Sequence, residues 1–201
     1  MVTVRAQAHT LEGFAAALIL LSGVLFALQA TAVTPLTAST SNQHIENQQG
    51  AVAEGVLAAA EANGTLAPAI LHWNSSGDRF IDSGEGGVYE NANSAFSATA
   101  FGETLNRTFG DERVAYNVEL RYRTVSGGQG RTRVVYMGSP SDNAVAASRT
   151  ATLYDDDRVD GGSRTLETVA SDPDREFYAG DADPDGPLYG VMEVRIVVWR
   201  I

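Results

Sequence analysis

An uncharged apolar run occupies residues 14–33, close to the start of the chain. At a rise of about 1.5 Å per residue, this run is long enough to cross a bilayer as a helix. Arg5 precedes the run and Glu12 stands at its edge. Because a positive charge favours the cytoplasmic side, the pattern predicts a single membrane helix with its N-terminus in the cytoplasm and the remaining chain outside.

A second helical pattern follows this run. We expect the first helix to break at Thr34-Pro35, because proline has no backbone N–H to continue the hydrogen-bond ladder. Thr40 with Gln43 fits a capping box at the start of a new helix. Apolar residues then recur with helical spacing, at Ile45, Val52, Val56, Ala59 and Ala60. The pattern predicts an amphipathic stalk helix that ends at Asn63-Gly64, a helix-stop sequence.

The C-terminal part of the chain alternates in the manner of β-strands. Residues 114–122 alternate apolar and polar side chains, a Gly-rich turn follows at 126–130, and residues 133–137 return as the second strand of an antiparallel hairpin. Residues 148–154 and 189–201 predict two further strands. In the last of these, Met192, Val194, Ile196 and Val198 face one way, which places Trp199 on the wetter side or over an edge.

Residues 68–112 have weak periodicity and many Gly, Ser and Asn residues, so short strands and long loops are expected there. Trp73, Phe80 and Tyr89 are expected to anchor the core, because a head with few large apolar groups must bury those it has. The whole pattern predicts an α+β fold. A long N-terminal helix, with a transmembrane half and an amphipathic half, packs on an antiparallel β-sheet or sandwich head.

The predicted organisation has four parts, which are a leader at 1–12, a transmembrane helix at 13–34, a stalk helix at 35–63 and one β head at 64–201.

The charge of the chain adds a constraint. The sequence has 25 acidic residues and 14 basic residues, all of them Arg, for a net charge of −11. An acidic surface repels phosphate backbones, so nucleic-acid binding is not expected. Asp-rich loops without Lys are typical of a surface hydrated in high salt. No Cys is present, so disulfides and thiolate chemistry are excluded.

One acidic loop has a pattern that favours a cation. Asp181, Asp183 and Asp185 precede Gly186 in the order D-x-D-x-D-G, the first half of a calcium loop, in which alternate carboxylates converge on the ion. The twelfth position is Met192, where such a loop needs a bidentate carboxylate. The alternative is a solvated acidic turn.

Three N-glycosylation sequons, at Asn63, Asn74 and Asn106, are expected in loops or turns of an exported head. No catalytic constellation accompanies them. The three His residues lie at 9, 44 and 72, without the spacing of a zinc protease or of a serine hydrolase motif. We therefore expect neither an enzyme nor an organic cofactor.

The apolar helix carries two features that a simple anchor does not need. Ala16, Gly23, Ala27 and Ala30 form a series of small residues, in which Gly23 and Ala27 make a small-xxx-small pair that lets another helix approach closely. Glu12 at the edge is unfavourable in a bilayer unless a partner neutralises it. Both features predict contact with other helices. Frequent Ala and Gly in ordinary membrane helices remain the alternative explanation.

The segment AQAHTLEGF at residues 6–14, followed by the apolar helix, resembles the leader and first helix of type IV pilin precursors. The chain as a whole is similar to uncharacterised pilin-like proteins of halophilic archaea, with which it shares AQAHTLEGF, FALQATAVTPLTASTSNQHIENQ and SRTATLYDDD. The resemblance implies cleavage by a prepilin-type peptidase, after Gln7 or Ala8. It also implies that Glu12 pairs with the N-terminal amine of a neighbouring subunit in an assembly of like or related subunits.

Two other fates of the N-terminus remain open. The apolar run could stay as an uncleaved anchor, or a signal peptidase could cut at the A-x-A sequence Ala30-Thr31-Ala32 and release the head. Three functions follow in order of preference. The first is a pilin-like, membrane-inserted surface subunit, the second a monomeric membrane-anchored extracellular binding module, and the third a secreted β-domain.

Overall fold

The computed structural model describes residues 3–32, 36–91, 95–110 and 113–201. The helices are α1 Thr3–Ala32, α2 Leu36–Ala62, α3 Leu66–Ile70, α4 Ala100–Phe109 and α5 Leu166–Ala170. The strands are β1 Trp73–Asn74, β2 Arg79–Phe80, β3 Val114–Arg123, β4 Gln129–Tyr136, β5 Val145–Tyr154, β6 Arg158–Val159, β7 Arg164–Thr165 and β8 Leu188–Arg200. The predicted α+β class is confirmed. The chain divides into two compact units, Met1–His44 and Ile45–Ile201, and the second is called the head below.

Helix α2 begins earlier than the sequence pattern suggests. It starts at Leu36, so Thr40 and Gln43 lie inside the helix and the predicted capping box is wrong. The residues before Thr40 continue the helical hydrogen-bond ladder, which leaves no free N–H groups for a cap at that point. The predicted break at Thr34-Pro35 lies outside the described part of the chain.

The end of α2 confirms the helix stop at Asn63-Gly64. Gly64 has φ +65°, a left-handed conformation that glycine adopts without steric penalty. The Gly64 N–H donates to the Glu61 carbonyl at 3.0 Å, and the Thr65 N–H donates to the Ala60 carbonyl at 2.9 Å. This pair of bonds is a Schellman motif, which satisfies the last carbonyls of the helix.

The buried face of α2 differs from the predicted one. Ala53, Val56, Leu57 and Ala60 are buried in the core of the head, at the spacing expected for one side of a helix. Val56 and Ala60 were predicted correctly, but Val52 is 39% exposed and Ala59 is also exposed. Leu57 is fully buried, and at about 100° per residue Val52 lies about 140° away from it around the helix.

The head is built on one four-stranded antiparallel sheet with the strand order β4-β3-β8-β5. Strands β3 and β4 form the predicted hairpin, and β8 inserts between β3 and β5. Two two-stranded ribbons, β1-β2 and β6-β7, complete the strands of the described residues. Of the two predicted forms of the head, a single antiparallel sheet or a sandwich, the structure shows the single sheet. The described residues do not form a sandwich of two large sheets.

One face of this sheet forms the core of the head. Val118 and Leu120 of β3 and Val194 and Ile196 of β8 are fully buried there, as the alternating pattern predicted. They belong to one apolar cluster that includes the buried residues of α2. Arg149 of β5 approaches Glu61 of α2 with 3.8 Å between Nε and Oε2.

Trp199 lies on the opposite face but is not exposed to water. It stands opposite Ala115 in the register of β3 and β8, and only 3% of its surface is exposed. Asn117 on the same face binds the segment after β4, accepting from the Met137 N–H at 2.8 Å and donating to the Gly138 carbonyl at 2.9 Å. Because Trp199 is buried on this face, the prediction of a wet position for it is wrong.

The region before the sheet contains a helix that the sequence analysis did not predict. In α4, Phe101, Leu105 and Phe109 are buried at a spacing of four residues. The Thr99 hydroxyl caps the helix by accepting from the Gly102 N–H at 3.0 Å. The spacing and the cap are visible in the sequence. The surrounding Gly, Ser and Asn residues concealed them in a region assigned to short strands and loops.

Trp73, Phe80 and Tyr89 are buried core residues, as predicted. The Trp73 ring packs edge-on against Phe80 and Tyr178, with ring centroids 5.0 and 5.2 Å apart. The polar atoms of the cluster find backbone partners, since Trp73 Nε1 donates to the Glu176 carbonyl at 2.7 Å and the Tyr89 hydroxyl donates to the Ile81 carbonyl at 2.6 Å. Aromatic burial here leaves these donors satisfied.

Candidate functional site

Helix α1 presents an apolar surface without a covering in its unit. Every residue from Leu11 to Leu28 is exposed, and this segment is long and apolar enough to span a membrane, with a mean hydropathy of 2.2. The consecutive residues Leu18, Ile19, Leu20 and Leu21 cover all sides of the helix, because neighbours are about 100° apart. A helix that is apolar all round belongs in a membrane or in a protein core.

The predicted assembly residues fall on one side of this helix. At about 100° per residue, Glu12, Ala16, Gly23, Ala27 and Ala30 lie within an arc of about 60°. We call this side the small-residue face. A Cβ added to Gly23 would meet no atom within 4 Å. The helix therefore offers a smooth side for close approach, and the acidic residue lies at one end of it.

Glu12 has a neighbour that the sequence analysis did not consider. The Glu12 carboxylate lies 3.7 Å from Nδ1 of His9, one turn earlier in α1, and both side chains are about 80% exposed. The spacing of three residues could have indicated this contact, since such pairs share a helix face. The candidate processing residues Gln7 and Ala8 lie in the same helical turns of α1.

The head contains a second candidate site, a polar cleft of about 780 Å³. Its lining includes Asn74, Ser76, Arg158, Arg164, Thr165 and Arg175. Among the described lining residues, Ile81 has the one apolar side chain. The volume falls within the range of small-molecule sites, but the lining is far more polar than usual. We call this feature the Asp160 cleft, after the residue that organises it.

Asp160 joins three separate segments of the head, and its side chain is only 12% exposed. Its carboxylate accepts from the Ser75 N–H and from the Ser75 hydroxyl, each at 2.6 Å. It also lies 3.4 Å from Nη1 of Arg175 and 3.9 Å from Nε of Arg164. Asp172 contacts the same two guanidinium groups, at 3.2 Å from Arg175 and 3.8 Å from Arg164. Each of the two arginines is therefore held between two carboxylates.

The backbone at this point adopts an uncommon conformation. Asp160, Gly161 and Gly162 have φ angles of +53°, +66° and +92°. Asp tolerates the left-handed region better than most residues, and Gly adopts it freely. The turn directs the Asp160 carboxylate toward Ser75. Arg158 and Arg164 are close to Asp160 in the sequence, but Ser75 and Arg175 are 85 and 15 residues away, so no sequence pattern indicates that they meet this turn.

Arg158 differs from the other two arginines of the cleft. Its Nη1 donates to the Gly162 carbonyl at 3.1 Å, and no carboxylate lies within salt-bridge distance among the described residues. Arg158, together with the network of Arg164, Arg175, Asp160 and Asp172, gives one excess positive charge. In a chain with a net charge of −11, the cleft is a local reversal of sign.

The predicted calcium residues do not form a metal site in the described part of the chain. Asp181 Oδ1 accepts from the Asp183 N–H at 2.9 Å, so it forms a local turn. No group of three or more His, Cys, Asp or Glu residues is arranged to hold an ion within that part, and Asp185 joins none. Burial raises the pKa of nearby Asp155, and the carboxylates of Asp181 and Glu167 raise it further.

The three sequons lie in different settings. Asn63 is exposed at the end of α2. Asn74 belongs to β1 and lines the Asp160 cleft, where its Oδ1 accepts from the Ser76 hydroxyl at 2.9 Å. Asn106 lies in α4, so the prediction that all three occupy loops is wrong for Asn106 and Asn74. The unrecognised helix and the short ribbon explain the error.

His72, which adjoins the aromatic core, has a buried Nδ1 with no hydrogen-bond partner among the described residues. Burial lowers its pKa from 6.5, and Asp82 partly opposes this. The unfolded chain therefore binds a proton more readily than the folded head.

The free energy of unfolding of the head should fall as the pH drops below about 6.5, because protonation of His72 favours the unfolded chain. Thermal unfolding followed from about pH 8 to about pH 5 should show a smaller decrease in Tm for His72→Gln than for the wild type. The exposed His44→Gln is the control, and an identical decrease in all three proteins would contradict the assignment.

The chain belongs to a family of unknown function (DUF7288), whose family model matches residues 5–198. The match includes the apolar helix, the stalk helix and nearly the whole head, so they belong together as one family unit. No curated protein and no solved structure matches the chain.

Proposed function

We propose that this member of the DUF7288 family is a pilin-like, membrane-inserted surface subunit that assembles through its apolar N-terminal helix. The observation that carries the proposal is the segment of α1 from Leu11 to Leu28, which is long and apolar enough to span a bilayer and is entirely exposed in the unit. Such a surface is stable only in lipid or against other apolar surfaces. A membrane and a bundle of like helices are the two environments that the proposal requires.

Helix-to-helix contact is supported by the small-residue face. Helices in lipid gain no hydrophobic driving force from association, so they associate through close packing at small residues. Gly23 has open space around it, which gives a partner helix access to the backbone. Glu12 lies on this side and would be neutralised by the N-terminal amine of a neighbouring subunit. In the isolated chain, its partner is His9.

The orientation follows from charge. Arg5 before the helix favours a cytoplasmic N-terminus, which places the head outside the cell. Ser22 is compatible with a lipid environment, since its hydroxyl donates to the Leu18 carbonyl at 2.7 Å and leaves no unsatisfied donor. A prepilin-type peptidase would cut near Gln7 or Ala8 and create the amine that Glu12 requires. Like or related subunits are the proposed partners.

A monomeric membrane-anchored binding module is the second candidate function, and the Asp160 cleft favours it. A rigid polar cleft with an excess positive charge is a feature of ligand-binding heads and is not needed for assembly through a helix. This candidate requires α1 only as an anchor, whereas the cleft lies entirely in the head. A secreted β-domain is the third.

Mass spectrometry of the mature N-terminus, on protein extracted from membranes, separates these possibilities. We expect a new N-terminus at Ala8 or His9, which corresponds to peptidase cleavage next to the apolar helix. An intact leader would favour the uncleaved anchor. An N-terminus at Val33 would contradict both membrane functions, because it corresponds to cleavage after Ala32 and release of the head.

A further inference from the structure

We propose that the Asp160 cleft binds a saccharide that carries a carboxylate group, such as a hexuronate unit of an extracellular polysaccharide. The inference is independent of assembly through α1, since every residue of the cleft lies in the head. Three observations carry it, namely the fixed arginines, the unpaired charge of Arg158 and the composition of the lining.

The cleft is organised before any ligand arrives. Arg175 donates to the Ser75 hydroxyl at 3.2 Å and to Asp160 at 3.4 Å, and Arg164 lies 3.9 Å from Asp160 and 3.8 Å from Asp172, so both guanidinium groups are positioned at the cleft. Asp160 is in turn held by two hydrogen bonds from Ser75. A site whose side chains are already fixed loses little conformational entropy when it binds. The network therefore supplies a rigid floor on which a ligand can be oriented.

Arg158 supplies the charge that selects the ligand. It lines the cleft, its side chain is exposed and it contacts a backbone carbonyl in place of a carboxylate. A guanidinium group binds a planar carboxylate through two parallel N–H···O bonds. Asp160 and Asp172 already balance the other two arginines. The cleft thus has one uncompensated positive charge and fits a group with one negative charge.

The rest of the lining selects a polyhydroxylated ligand. Hydroxyl and amide side chains surround the arginines, from Asn74, Ser76, Ser163, Thr165 and Thr168. Such groups exchange hydrogen bonds with sugar hydroxyls, which act as both donors and acceptors. Ile81 offers little apolar surface for a lipid or an aromatic compound. A volume of about 780 Å³ accommodates more than one sugar ring.

Calorimetric titration of the full chain in detergent micelles tests the inference. The probe is a tetrasaccharide of alternating glucuronate and N-acetylglucosamine, and the comparison ligands are a neutral N-acetylglucosamine tetrasaccharide and acetate. We expect the glucuronate probe to bind at least about tenfold more tightly than either comparison ligand, since a charge-assisted hydrogen-bond pair contributes about that factor. Equal binding of the neutral tetrasaccharide would overturn the role of charge. Equal binding of acetate would overturn the role of the sugar.

Arg158→Gln is the informative variant, because Arg158 lies outside the carboxylate network that holds the head together. It should weaken binding of the glucuronate probe about tenfold without changing the thermal midpoint. Arg107→Gln is the matched control, since Arg107 is an exposed arginine on α4, away from the cleft, paired with Glu103. Undetectable binding by the wild type, or equal binding by both variants, would overturn the proposal. Neither result depends on assembly through α1, so the two proposals fail separately.

Discussion

Gly23→Leu should weaken association of the full chain through α1 while leaving its insertion into membranes intact. A leucine side chain at this position would project from the small-residue face and hold a partner helix away from the backbone. The added apolar surface favours insertion, and a Cβ at Gly23 meets no atom within 4 Å in the isolated chain. The loss would therefore come from the contact between chains and not from misfolding.

The association constant in detergent micelles, measured by sedimentation equilibrium, should fall at least about tenfold for Gly23→Leu. Ala17→Leu is the matched control, because it adds a leucine to the same helix about 120° away from Gly23. Membrane fractionation checks that both variants insert. Equal association of Gly23→Leu and the wild type, or equal loss in both variants, would remove the small-residue face from the proposed function.

Asp160→Ala should destabilise the head by about 3 kcal/mol, the largest effect expected from a single polar residue here. The substitution removes both hydrogen bonds to Ser75 and leaves Arg164 and Arg175 with Asp172 as their remaining shared carboxylate. It also places a residue with no preference for φ +53° in a left-handed turn. The two effects act in the same direction.

Trp fluorescence is a suitable measurement, since the chain has 2 Trp residues, Trp73 and Trp199, and both are buried in the head. The thermal midpoint should fall by roughly 8 °C for Asp160→Ala, given about 2–4 °C per kcal/mol in a unit of this size. Asp160→Asn should lose less, because Asn tolerates the left-handed turn and can still accept from Ser75. The exposed Asp174→Ala serves as control. A midpoint of Asp160→Ala equal to that of the control would show that Asp160 does not hold the loops together.

The core of the head was largely predictable, because alternation along a strand is a local property. Leu120, Val194 and Ile196 are buried on the face that the pattern predicted. The hairpin turn and the end of α2 could also be predicted from the sequence, since Gly127 and Gly64 adopt the positive φ angles that such turns require. In each case, the decisive interaction is made within a few residues.

The buried face of α2 and the burial of Trp199 could not be predicted from the sequence pattern. Val52 and Val56 are the same residue type, yet Val56 is buried in the core and Val52 is exposed. Trp199 is buried although it lies on the face of β8 that the alternation predicts to be wetter. The energy of burial depends on what another part of the chain places there, and periodicity carries no information about that.

The sequence by itself determined the apolar helix, because its length and composition satisfy the requirements of a bilayer without any tertiary contact. It also determined the position of Glu12 and of the small residues on one side of that helix, since helical geometry alone sets them. Only the tertiary structure decided the Asp160 cleft. Ser75, Asp160 and Arg175 are separated by up to 100 residues, and their ion pairs and hydrogen bonds exist only when folding brings those segments together.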